Sequence, residues 1–314
     1  MSKIIPKKRH AMTLASSNQL CVLLTGATGF VGRHLASHLA AHGALVHAVV
    51  RSGRNSNLLP PYITQHMDSE GEELARIIEN VRPDIVFHLA SLYITDHKPQ
   101  DINILINSNV LFGARLMEAM SNAGVRRLVN TGTSWQHFNG DQYDPVNLYA
   151  ATKQAFEAII SYYVSARGFS VTTLKLYDTY GPADSRPKLF HLLRNAAEKG
   201  ETLRMSPGEQ LLDIVHIKDV VEAFRLAGIH LLRGKSGTQD FYTVSSGRCL
   251  PLREIVGLFE KVIAQPIPVE WGARSYRTRE VMQPWRGGNS VPGWTPEISL
   301  EDGLKDLIHA SELS

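Results

Sequence analysis

The chain has 314 residues, 43% of them hydrophobic and 20% charged, with a formal net charge of +3 at pH 7. That is enough apolar material for one large core or two smaller ones, and so small a charge excludes an extended nucleic-acid surface. The two cysteines, Cys21 and Cys249, lack C-x-x-C spacing, and no run approaches the ~20 apolar residues of a membrane span, so a cytoplasmic protein with no metal and no membrane segment is expected.

Residues 1–18, which include Lys7, Lys8 and Arg9, read as a flexible basic arm. Residues 19–25 are a short apolar run ending at glycines, and 31–42 carry Leu35, Leu39 and Ala40 at helical spacing, which gives strand, turn and helix. Strands follow at 44–50, 63–67 and 84–90, with a helix over 70–81 between the last two. A long helix is expected over 101–123, a strand at 127–131, a helix at 145–167 and a strand at 171–176. Apolar strands alternating with helices imply a parallel sheet covered on both faces. From Tyr177 onward proline and glycine become frequent, which predicts a smaller, loop-rich lobe over 177–314 with some segments returning to the first domain. The expected fold class is α/β: a Rossmann-type doubly wound parallel sheet over 19–176, with the lobe at the carboxyl ends of its strands.

The segment Thr25-Gly-Ala-Thr-Gly-Phe-Val-Gly32 lies where the first strand meets the first helix, the context that makes a glycine fingerprint credible. Gly26 permits the tight turn, Gly29 the approach of a pyrophosphate, and Gly32 close helix packing, so Gly26, Thr28, Gly29, Phe30, Val31 and Gly32 are candidate dinucleotide contacts. The second strand ends in Val50-Arg-Ser-Gly-Arg54 with no acid for a free ribose 2′-hydroxyl. Arg51 and Arg54 suit a 2′-phosphate, which favours NADPH over NADH. Asp68 could accept from the adenine amine or cap a turn.

Tyr149 stands four residues before Lys153, which puts a phenol and an ammonium on one helical face. A free phenol has a pKa near ~10, so acid/base work at neutral pH needs nearby positive charge. Thr133 and Ser134, in Asn130-Thr-Gly-Thr-Ser-Trp135, put hydroxyls within reach. Together with His-Leu-Ala-Ser at 88–91, these motifs resemble the extended short-chain dehydrogenase/reductases, the NAD-dependent epimerase/dehydratase family. The resemblance covers about 19–310. It implies a catalytic set of Thr133, Tyr149 and Lys153, and a cofactor site completed by Leu89, Ala90, Ser91 and Asn109.

Later segments resemble the nucleotide-sugar branch of that family: Leu174-Lys-Leu-Tyr-Asp-Thr-Tyr-Gly-Pro182 and Asp213-Ile-Val-His-Ile-Lys-Asp-Val220. Asp178 stands where asparagine is usual, and Leu212 replaces an arginine that often contacts the substrate diphosphate. Arg277, Lys188 and Arg204 are candidates to compensate. Tyr93, His97, Ser134, His137, Phe138 and Asn139 are placed by position at the sugar. Ser134-Trp135 stand where a 4,6-dehydratase carries an acid and a base, and 91–98 contain no cysteine of the fucose-synthase kind. A 4-ketoreductase or a 4-epimerase is left. The arginines favour a consumed NADPH, and the pattern resembles the CDP-abequose and CDP-paratose synthase group of deoxysugar-forming reductases. A 4-epimerase with bound NAD and a non-catalytic NADP(H)-binding module stay open. The family resemblance also implies a homodimer formed through the helices at about 101–123 and 146–167.

Overall fold

The computed structural model describes residues 19–53, 58–138 and 140–312. The expected arm at 1–18, Arg54 and Asn139 lie outside them.

Seven parallel strands form the main sheet: β1 (Cys21–Thr25), β2 (Leu45–Arg51), β3 (Thr64–Asp68), β4 (Ile85–His88), β5 (Arg127–Thr133), β6 (Ser170–Leu176) and β10 (Gln239–Val244). Their order is β10-β6-β5-β4-β1-β2-β3, so the chain reverses direction between β1 and β4. Such a reversal opens a crevice at the carboxyl ends of the strands, where doubly wound sheets bind ligands. The residues of β4 are all buried, as expected for a strand covered on both faces.

Helices α1 (Phe30–Ala41) and α7 (Ile217–Arg233) cover one face, where Leu35, Leu39, Phe224 and Ala227 pack on Val22, Leu24 and Phe87. On the other face lie α2 (Leu74–Val81), α4 (Phe112–Asn122) and α5 (Leu148–Arg167), which bury Ile78, Met117, Phe156 and Ile160 against Leu23, Val86 and Leu128. The remaining chain builds two small sheets. In one, β9 (Leu211–His216) lies between β7 (Asp178–Tyr180) and β11 (Cys249–Pro251); in the other, β8 (Leu203–Met205) pairs with β12 (Val269–Trp271). Helices α6 (Leu189–Lys199), α8 (Leu252–Ile263) and α9 (Leu300–Glu312) pack around them through Phe190, Phe259 and Leu304. Both β10 and α7 come from beyond residue 177 and return to the main sheet.

Two departures from the expected elements bear on the site. The helix expected at 70–81 begins only at Leu74, because the Asp68 carboxylate accepts from the Gly71 and Glu73 amides (2.7 and 2.9 Å) and holds Glu70 and Gly71 at positive φ. The helix expected over 101–123 is α3 (Ile102–Ile106) and α4 joined by a π-turn at Asn107–Leu111. Such a π-turn re-aims the side chains it contains. Among the described residues no helix is long and apolar enough to cross a membrane.

Candidate functional site

The glycine turn is built as its spacing requires. Gly26 sits at φ +73°, and a Cβ there would lie 2.5 Å from the Ala90 amide nitrogen. A Cβ on Gly32 would lie 2.1 Å from the Gly26 carbonyl oxygen, so helix and turn touch backbone to backbone. Gly29 caps α1 without a side chain, and the first turn holds no acid. Its amide ends are thus left to an anionic ligand. Gly29 lines the two cavities that meet at this turn, and a Cβ on it would lie 3.2 Å from the Gly26 carbonyl oxygen.

A cavity of about 580 Å³ runs from Gly26, Thr28 and Gly29 past Leu89, Ala90 and Ser91 to Arg51, Asp68, Glu70, Asn107, Ser108 and Arg115. Its size suits a dinucleotide, and its far end carries two guanidinium groups. Arg115 was not foreseen, although Asn107, Leu111 and Arg115 recur at the four-residue spacing of one helical face. Its Nη1 donates to the Glu70 carbonyl (2.7 Å). Asp68 lines the cavity too, but both its carboxylate oxygens serve the turn at 71–73.

Asn109 must be corrected: it does not line this cavity. It is 2% exposed, and its amide is saturated by protein. Oδ1 accepts from the Leu92 amide (2.7 Å) and the Ser91 hydroxyl (3.1 Å), while Nδ2 donates to the Leu92 carbonyl and to Thr152 Oγ1 (both 2.9 Å). Thr152 in turn donates to the Tyr149 carbonyl (2.7 Å). Asn109 therefore ties the loop after β4 to the helix that carries Tyr149.

A second cavity of about 250 Å³ shares Gly26, Gly29, Leu89 and Ser91 with the first and holds Phe30, Val31, Gly32, Tyr93, Thr133, Ser134, Tyr149, Lys153, Asp178, Arg186 and Lys188. Asn147 caps α5 through the Ala150 amide (3.0 Å), which fixes the first turn of α5 where Tyr149 stands. The Lys153 ammonium lies 5.9 Å from the centre of the Tyr149 ring. Burial lowers the Lys153 pKa to about 8, and the Glu157 charge opposes that change. Burial, reinforced by Tyr93, raises the Tyr149 pKa, so the phenol holds its proton; Ser91 and Arg186 pull the other way. Thr133 ends β5, and its Oγ1 accepts from the Trp135 amide (3.3 Å), which leaves its hydroxyl proton free to be donated.

Around this centre Tyr93 packs edge-on to Tyr149 at 5.0 Å, and Lys188 pairs with Asp178 at 3.0 Å. Arg186, which has no periodic signal in sequence, lies 4.2 Å from the Phe30 ring and is held by Asp184 and Thr179. A third space shares Ser134, Trp135, Tyr177 and Asp178 with the second and adds His137, Leu212, Arg277, Arg279 and Trp285. His137 stacks on Trp285 at 4.0 Å, Arg277 lies 3.6 Å from Asp96, and Arg279 pairs with Asp144 and covers Phe138 at 4.3 Å.

Arg204 is the second correction. Its side chain is 63% exposed and pairs with Glu270 across β8 and β12, outside all three spaces. His97 is exposed and lines none of them. Elsewhere, His38, His42 and Glu222 bring possible metal ligands within 4.8 Å of one another, a grouping not expected from sequence. Arg225 already holds both oxygens of that carboxylate, at 2.6 and 2.7 Å.

The sequence profile of the NAD dependent epimerase/dehydratase family matches residues 22–241. A CDP-abequose synthase of Yersinia pseudotuberculosis is 28% identical, covering 84% of this chain and 91% of its own length. A UDP-glucose 4-epimerase of Mycolicibacterium smegmatis is 25% identical over 91% of this chain and 96% of its own. The solved structure of MoeE5 in complex with UDP-glucuronic acid and NAD superposes with a TM-score of 0.79 at 28% identity, covering 93% of this chain and 99% of that one.

Proposed function

The chain belongs to the NAD dependent epimerase/dehydratase family, and from that premise we propose that it acts on a nucleotide sugar, using NADPH to reduce the C4 ketone of a nucleotide-linked 4-keto-6-deoxyhexose. The observation that carries this reading is the composition of the second cavity. It gathers Thr133, Tyr149 and Lys153 beside the glycine turn, while Ser134 and Trp135 occupy the places where dehydration would need an acid and a base. Losing such a group costs roughly 10²–10⁴-fold, so dehydration is disfavoured. The likeness to CDP-abequose synthase supports a deoxysugar substrate.

The amides at the start of α1 would hold the cofactor pyrophosphate, Lys153 the nicotinamide ribose, and Arg51 with Arg115 the 2′-phosphate. Bound there, the reduced nicotinamide supplies the hydride that the C4 carbon accepts. Tyr149, kept protonated by burial, gives its proton to the C4 oxygen. The Thr133 hydroxyl donates to the same oxygen and orients it as charge develops. The Lys153 charge then stabilises the phenolate that Tyr149 becomes. Arg277, Arg279 and Lys188 would meet the substrate diphosphate from the far side. Cytoplasmic residence and a homodimer complete the proposal; Ile102, Ile106 and Tyr162, exposed on α3 and α5, support the pairing.

A 4-epimerase with retained NAD is the second reading. The likeness to UDP-glucose 4-epimerase favours it, and so does Glu70, which lines the adenosine end and could accept from a free 2′-hydroxyl. Incubation with NADPH and a panel of nucleotide-linked 4-keto-6-deoxy sugars, followed by absorbance of the reduced nicotinamide, separates the readings. Stoichiometric loss of absorbance is expected. Tight cofactor binding with no loss of absorbance across the panel would instead leave the 4-epimerase, which consumes no NADPH, and the non-catalytic binding module.

A further inference from the structure

Behind the catalytic residues lies a polar cluster that the steps above do not use. Glu157, one helical turn after Lys153 on α5, has a side chain only 12% exposed, and it faces Lys175 of β6, which is 4% exposed, at 3.4 Å. Its other oxygen accepts from Gln136 Nε2 (2.9 Å). Gln136 is wholly buried, donates also to Gln154 (2.6 Å), and accepts the Thr133 amide on its Oε1 (3.0 Å). The main chain comes so close that a Cβ on Gly132 would lie 2.9 Å from Gln136 Oε1 and 3.1 Å from Glu157 Oε1. Here Gly132 serves a close approach, at ordinary strand geometry, between β5 and a buried carboxylate.

A buried charge is retained only where it is paired and hydrogen-bonded; this carboxylate pairs with the Lys175 ammonium and stands one helical turn from Lys153, whose charge it favours. We propose that Glu157 is a positioning residue of this active site, balancing Lys153 and Lys175 with one carboxylate and fixing the main chain at Thr133 through Gln136. The inference rests on the roles given above to Lys153 and Thr133.

The groups that face Glu157 are few. Lys153 lies on its own helix and Lys175 on β6, and His137 and Tyr143 on the loop after β5 feel its charge. Burial drives both lysines toward the neutral form, and Glu157 is the charge that opposes this at each. Removing the carboxylate charge therefore makes Lys153 lose its proton at lower pH, while the amide oxygen of a glutamine can still accept from Gln136.

The test is cofactor affinity against pH, read by fluorescence of whichever of NADPH and NADH the wild type binds more tightly. Wild-type affinity is expected to fall through a midpoint near 8, where Lys153 loses its charge. In Glu157→Gln the midpoint should move down by about one pH unit, the effect of removing one nearby opposite charge. At pH 8 that is about a fivefold loss of affinity. The double variant Glu157→Gln/Lys175→Met removes the lysine that pairs directly with Glu157, so that it is not left buried without its carboxylate; this variant should fold even if the single variant does not, and it should keep the lowered midpoint. In a separate arm, Gln136→Leu should lower turnover at every pH without moving the midpoint. Coincident wild-type and Glu157→Gln profiles, or full return of the wild-type midpoint in the double variant, would overturn the proposal. If the wild type reduces none of the keto sugars, the ketoreductase reading fails while the cofactor titration still judges Glu157.

Discussion

Asn109→Ala should destabilise the protein by about 3–4 kcal/mol, a large share of the 5–15 kcal/mol that holds a typical fold together. The figure comes from four hydrogen bonds, at 2.7, 2.9, 2.9 and 3.1 Å, each contributing about 1 kcal/mol net. Alanine offers none of them, and it leaves the Leu92 amide and carbonyl, the Ser91 hydroxyl and Thr152 Oγ1 without that partner. At about 2 °C per kcal/mol for a chain of this length, the midpoint of thermal unfolding should fall by ~6–8 °C. Urea unfolding followed by circular dichroism would show the same loss as a lower midpoint with an unchanged slope. Asn107→Ala is the control. Asn107 lies two residues away and is exposed, so its replacement should stay within about 0.5 kcal/mol. Turnover of Asn109→Ala should fall as well, because the released loop carries Ser91 and Tyr93 toward Tyr149. A loss under about 1 kcal/mol, with unchanged slope, would refute the claim that this amide ties the loop to α5.

Three further outcomes follow from the site. Gly32→Ala should weaken cofactor binding at least tenfold in a fluorescence titration, since its Cβ would stand 2.1 Å from the Gly26 carbonyl and backbone must move; an unchanged Kd would mean that the turn does not hold the cofactor. Arg51→Ala and Arg115→Ala should each lower the NADPH to NADH ratio of kcat/KM by about 10–100-fold, the range of ~1.5–3 kcal/mol for a hydrogen bond to a charged group. An unchanged ratio in both would remove the 2′-phosphate assignment. Turnover should decline as pH rises through about 8, because the Lys153 pKa lies below the usual lysine value and its charge is present under that pH and lost over it. Tyr149, raised by burial, keeps its proton across the same range, so a rate flat to pH 9.5 would contradict the assignment to Lys153.

Local chemistry made much of the site legible from sequence. The glycine turn announces itself because each glycine answers a steric demand set within a few residues, at Gly26 by φ and at Gly32 by the carbonyl one turn away. Helical spacing puts Tyr149 and Lys153 on one face, and the resemblance carried by the surrounding motifs implied their catalytic role. The apolar runs of β1 and β4 pointed to the parallel sheet, since strands covered on both faces need no alternation.

What stayed hidden depends on contacts across the fold. The family resemblance implied a cofactor role for Asn109, and only its hydrogen bonds in the fold show its amide spent on Leu92, Ser91 and Thr152. Arg204 was a reasonable cation for a diphosphate until β8 paired with β12 and set it beside Glu270. Arg186 reaches its cavity from a loop, where no spacing rule singles out one arginine, and the face that Arg115 shares with Asn107 and Leu111 points to a ligand only once the fold places it beside Arg51. The late start of α2 reflects two hydrogen bonds to Asp68 that outweigh the helical preference of the residues before Leu74.

The most direct test of the central claim is isotopic. The protein should be given NADPH carrying deuterium at the transferring position, together with a nucleotide-linked 4-keto-6-deoxyhexose, and the product examined by NMR. The account predicts one deuterium at C4 for each NADPH oxidised, a single C4 configuration, and a loss of at least a hundredfold in rate for Tyr149→Phe. Interconversion of C4 epimers with no deuterium gained from added NADPH would contradict it and make the protein a 4-epimerase.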